Sequence, residues 1–144
     1  MKKVDAFWDA SAIVPLCVGQ PGSGFARTAL RNRSIAVWWG TPVETISAFA
    51  RLARAGDLDE RQFQMASARL AALRGMWIEV QPSEGLRELA EDLIQRHPLH
   101  AADALQLSAA VIWSRRQPRQ RAFVCLDGGL ASAASKQGFS VESI

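Results

Sequence analysis

Soft metal ligands are scarce in this chain: 144 residues contain two cysteines and two histidines. Cys17 and Cys125 are too few and too isolated for a disulfide framework or a zinc site. Both lie in apolar stretches, which predicts buried free thiols in a reducing compartment. Long apolar runs are missing too, and no segment approaches the length needed to span a bilayer. Lys2 and Lys3 imitate the start of a signal peptide, but Asp5 and Asp9 break the apolar run that would have to follow. Repeats, low-complexity tracts and linker-like stretches are absent as well. These absences leave a cytoplasmic protein of one domain, residues 1–144, large enough to bury a core.

What is present is ordinary in amount and informative in arrangement. Apolar residues make up 49% and charged residues 22%, the proportions of a globular protein. A net charge of +3 permits a polyanionic partner without demanding one. The basic side chains are nearly all arginine, which suits bidentate phosphate contact better than lysine does. Short strand-like runs fall at 4–8, 35–38, 77–80, 122–126 and 140–142. Helical stretches lie between them at 12–18, 24–31, 43–55, 60–74, 84–96, 101–115 and 130–137. Pro42 suits a first helical position, Pro82–Ser83 opens another helix, and Gly56, Gly75 and Gly138 fall where helices should stop. Strands alternating with helices predict an α/β fold of three layers, with a mostly parallel sheet of four to five strands covered on both faces. Ligands of such sheets sit outside the carboxyl ends of the strands. The residues just after each strand therefore carry the functional question.

Asp9 follows the first strand, in "FWDASAIVPL". Glu44 opens the helix after the second, and Asp127 follows "AFVCL". Asp103 begins the apolar helix "HAADALQLSAAVIW", whose start can reach the same edge. Each acid has a structural alternative. Asp9 or Ser11 suits a helix cap. "TPVE", Thr41 to Glu44, reads as a capping box in which Glu44 returns to the Thr41 amide. Asp103 suits the positive end of its helix, and "DGG" is turn chemistry. Yet an acid among Ala and Leu is costly unless something positive meets it, and clustered carboxylates raise one another's pKa values. A hard divalent cation resolves both problems, Mg2+ or its substitute Mn2+, since no His or Cys cluster suits zinc. His97 and His100 are expected at helix entries.

Four segments resemble the PIN-domain family, and within it the VapC-like ribonuclease toxins of prokaryotic toxin–antitoxin pairs: "DASAIVPL", "TPVETISAFARLARAG", "LHAADALQLSAA" and "FVCLDGGLASAASKQGF". They stand in the family's order and spacing across nearly the whole chain. The family's four acidic positions are filled by Asp9, Glu44, Asp103 and Asp127, and Ser11 matches its small hydroxyl residue. "DGGL" departs from the usual polar or basic residue after the last Asp, and Trp38–Trp39 is bulky for its place.

The resemblance implies a Mg2+-dependent endoribonuclease. Asp9 and Asp103 would be the principal metal ligands, with Glu44 and Asp127 at a second ion or at metal-bound water, and Ser11 in support. It also implies an RNA substrate, a VapB-like antitoxin partner and a homodimer, with no membrane. Arg115, Arg116, Arg119 and Arg121 form a basic run that is either a substrate grip or a solvated loop. Trp39 either stacks on a base or packs in the core or a subunit interface. One rival keeps the fold as a non-toxin PIN nuclease for RNA maturation, or as a binding module without catalysis. A phospho-receiver domain would want a Lys after a late strand, and none follows "AFVCL".

Overall fold

The computed structural model describes residues 3–143; Lys2 lies outside them. Among these residues five strands alternate with seven helices. In chain order they are β1 (Val4–Trp8), α1 (Ala10–Cys17), α2 (Ser23–Asn32), β2 (Arg33–Trp38), α3 (Thr41–Arg54), α4 (Glu60–Arg74), β3 (Ile78–Val80), α5 (Glu84–Arg96), α6 (Ala101–Trp113), β4 (Ala122–Val124), α7 (Gly128–Lys136) and β5 (Ser140–Glu142). The strands form one sheet in the order β3-β2-β1-β4-β5, and every pairing is parallel.

The period-two alternation of the strands separates two cores. Ala6, Trp8, Ile35, Val37, Ala122 and Val124 face the layer of α1 to α4. Phe7, Ala36, Trp38 and Phe123 face α5 to α7. Each fully buried large side chain contributes roughly 1.5–3 kcal/mol. Trp8 can be among them because its indole N–H donates to the Ser34 carbonyl at 3.1 Å. Burial on both faces holds for the centre of the sheet and fails at its edge, where Ile78 of β3 is exposed. At the other edge Glu142 of β5 pairs with Arg33 of β2.

Helix ends follow side-chain chemistry. Asp59 and Gln62 form a reciprocal capping box at the start of α4, and Ser83 caps α5. Gly56 and Gly138 take positive φ after α3 and α7, where the turns need it. Helix α1 starts two residues before the expected position because Asp9, rather than Ser11, is its cap. His100 stands at the entry of α6 without a side-chain cap bond. His97 instead ends α5, its ring 2.9 Å from the Gln137 amide. No helix among the described residues is long and apolar enough to cross a membrane.

Chain direction matters most at the centre. From β1 the chain moves through α1 and α2 to β2 on one side. It later returns to pair β4 with the other side of β1, and α7 leaves β4 over the opposite face. Connections therefore diverge between β1 and β4, and a crevice opens outside their carboxyl ends.

Candidate functional site

Asp9 and Asp127 leave the two strands that flank this crevice. Together with Glu44 and Asp103 they line one cleft of about 470 Å³, whose walls also include Ser11 and Arg51. The local reasons differ. Asp9 continues the β1 ladder, its amide donating to the Val124 carbonyl at 3.1 Å, and its Oδ2 accepts the Ser11 amide at 3.1 Å to begin α1. Asp127 begins α7 in the same manner, its Oδ1 accepting from the Leu130 amide at 3.0 Å. The Ser11 hydroxyl accepts from the Leu126 amide at 2.8 Å, tying the end of β4 to the start of α1. Asp103 sits in the first turn of α6, which starts at this edge of the sheet.

The electrostatics are those of crowded anions. Asp9 is only 5% exposed. Burial raises its carboxyl above the usual range, hydrogen bonds from Ser11 pull it back, and the Asp103 charge adds to the rise. Burial pushes Glu44 up to about 7; a hydrogen bond from Gln106 opposes this, and Asp9 and Asp103 reinforce it. Asp103 is raised by burial and then by Asp127, with His100 acting in the opposite sense. These couplings link all four carboxylates.

No family model and no curated protein matches the sequence. Solved structures do match it in three dimensions. VapBC2 from Rickettsia felis, bound to a DNA fragment from its promoter, superposes with a TM-score of 0.66 at 12% identity, over 97% of this chain and 98% of that one. VapC20 from Mycobacterium tuberculosis, a Sarcin-Ricin loop cleaving toxin, gives 0.64 at 19% identity over 89% and 94%. A toxin–antitoxin complex from Klebsiella pneumoniae gives 0.51 at 17% identity over 88% and 90%. The chain has the PIN-like fold.

Within that fold the expected capping box at Thr41 to Glu44 does not form. Helix α3 is entered through Gly40, and no side chain caps it. A Cβ at position 40 would come within 2.5 Å of the Trp38 indole nitrogen, which keeps the usual capping residues out. Glu44 turns instead toward α6, where Gln106 donates to its Oε2 at 2.6 Å. Gln106 and Cys125 are neighbours of the acids that sequence reasoning missed. Gln106 had one signal, a lone amide three residues after Asp103 and thus on the same face of an apolar helix. Cys125 had none. Buried as expected, it holds its sulfur 3.7 Å from Asp9 Oδ2, and burial with the nearby Asp9 charge pushes the thiol up to about 12. Trp39 does not pack in the core; it is half-exposed after β2. The arginine run does not line the cleft of the acids. It joins α6 to the amino end of β4, and Arg121 stacks 4.6 Å over Trp113 there.

The donor set of the PIN-like cleft suits a hard cation, since four carboxylates line it without an imidazole. Among the described residues no three His, Cys, Asp or Glu side chains stand as a ready-made ligand group, although the four acids share the cleft. Mg2+ keeps several waters and uses one or two carboxylates, so its fit to this cleft rests on the hardness and charge of the donors alone.

Proposed function

We propose that this chain is a Mg2+-dependent endoribonuclease acting in the cytoplasm as the toxin of a toxin–antitoxin pair. One observation carries the reading: four acids meet at the strand ends where connections diverge, in a fold shared with a toxin that cleaves the Sarcin-Ricin loop. Asp9 and Asp103 would hold Mg2+, with Mn2+ as substitute, and Glu44 and Asp127 would take a second ion or metal-bound waters. When bound, the metal supplies a water of lowered pKa and neutralises charge on the phosphate.

The remaining work belongs to the chain's own groups. Asp9 is held at the edge by the Ser11 amide, which fixes its carboxylate against thermal rotation. That amide is thereby engaged by Asp9 and is not free to receive a phosphate. Arg51 lines the acidic cleft and offers its planar guanidinium to a backbone phosphate. Half-exposed Trp39 offers its ring to an unpaired base. A VapB-like antitoxin is in keeping with the toxin–antitoxin complexes that share the fold, and a second copy of the chain completes the proposed assembly.

Sequencing of RNA ends after controlled expression tests the proposal. Wild type is expected to create new ends and arrest growth, and Asp9→Asn to do neither. Identical ends from both proteins, or none from wild type, would remove the nuclease reading.

A further inference from the structure

Gln106 is fully buried in α6, one turn after Asp103 on the same face. Its Nε2 donates to Glu44 Oε2 at 2.6 Å and to Thr41 Oγ1 at 3.0 Å, so a single amide reaches two positions of α3. Its Oε1 meets no partner among the described residues. A buried amide oxygen left unpaired is unusual in a core, and the orientation follows from Glu44, whose ionised carboxylate can only accept. Turned over, the amide would press its oxygen against the Glu44 carboxylate. The start of α3 provides Glu44 with no alternative anchor, since its cap is Gly40 and no side-chain cap bond forms.

We infer that Gln106 is a positioning residue of the acidic cleft, holding the Glu44 carboxylate beside Asp9 and Asp103 and tying α3 to α6. The inference rests on the metal-dependent nuclease reading above. Like charges in the cleft push Glu44 outward along its flexible side chain. One strong hydrogen bond to a charged acceptor opposes that push. Because Gln106 and Asp103 share a helix, the bond also fixes the separation of two acids that come from different elements.

The test is a double-mutant cycle of Gln106→Met and Glu44→Ala in the full chain. Mn2+ is titrated calorimetrically into each metal-free protein. In parallel, kcat and KM are measured with Mg2+ on an RNA oligomer bearing the mapped cleavage site. Gln106→Met is expected to stay folded with a melting transition a few degrees lower, weaken Mn2+ about tenfold and lower kcat with KM unchanged. In the Glu44→Ala background the same change should add no more than about twofold, the ordinary scatter of independent sites. If Gln106→Met does not fold, Gln106→Asn, which keeps an amide but withdraws it by one methylene, takes its place with the same expected losses. Wild type that neither binds Mn2+ nor cleaves RNA overturns the nuclease reading and this inference with it. Wild type that does both, beside a Gln106 variant indistinguishable from it, overturns the inference alone. Equal losses with and without Glu44 also overturn it, because Gln106 would then act independently of that carboxylate.

Discussion

Glu44 keeps its proton to a pH at which an ordinary glutamate has lost it, with burial as the main cause and the opposing Gln106 bond as partial relief. A carboxyl raised from 4.5 to about 7 binds more protons in the folded chain than in the unfolded one across that interval. Its favourable contribution is therefore complete below about pH 4.5 and is lost as pH rises through about 7. Asp9 and Asp103, also raised, act in the same direction. The metal-free protein is thus predicted to melt lower at pH 8 than at pH 5.5, and Glu44→Gln should flatten that slope. A slope unchanged in Glu44→Gln, read by calorimetry at the two pH values, would contradict this origin. The same variant should stay folded, because a glutamine oxygen still accepts from Gln106. Its Mg2+-dependent cleavage is expected to fall at least tenfold, the lower end for losing a group that holds metal or its water. The cleft's residues were legible unequally. Asp9, Glu44, Asp103, Asp127 and Ser11 can be picked from strand ends and helix starts. Gln106 and Cys125 cannot be ranked above other core residues until α6 and β4 are packed beside the acids.

At the scale of elements, helix starts separate structural acids from cleft acids. Asp59 caps α4 through a complete capping box, away from the cleft. Asp59→Ala is predicted to cost about 1 kcal/mol, or about 3 °C in Tm, with cleavage unchanged. A loss of cleavage at full folding would place Asp59 in the machinery after all. Asp9 caps α1 and lines the cleft, so its two roles can be separated by chemistry. Asn caps as well as Asp but carries no charge. Asp9→Asn is predicted to melt at or above the wild-type temperature while losing cleavage; a drop of several degrees would favour a purely structural role. Periodicity gave the full extents of β1, β5, α4 and α5, and missed the other elements by one or two residues at one or both ends. The start of α3 was not. "TPVE" carries the letters of a capping box, but the Trp38 indole two residues before Gly40 folds back over it, and that side-chain placement is set by the core in which Trp38 is buried.

For the whole molecule, the crowding of acids makes any cation that binds there a stabiliser of the fold. At a hundredfold excess over its Kd, Mg2+ is predicted to add about 2.7 kcal/mol, raising Tm by roughly 5–10 °C, reversibly with chelator. The rise should vanish in Asp103→Asn, and an equal rise in that variant would locate the ion elsewhere. The parallel class of the sheet was legible from alternating strands and helices. Its strand order was not, because the pairing of β1 with β4 joins segments more than a hundred residues apart. That distance has a consequence in time. As the chain leaves the ribosome, β1, β2 and β3 can pair with one another in sequence. Asp9, however, lacks the Val124 carbonyl, the Leu126 amide that engages Ser11, and Asp127 until β4 and the residues just after it have emerged. The cleft is thus completed only once β4 has joined the sheet, well after β1, β2 and β3 can pair.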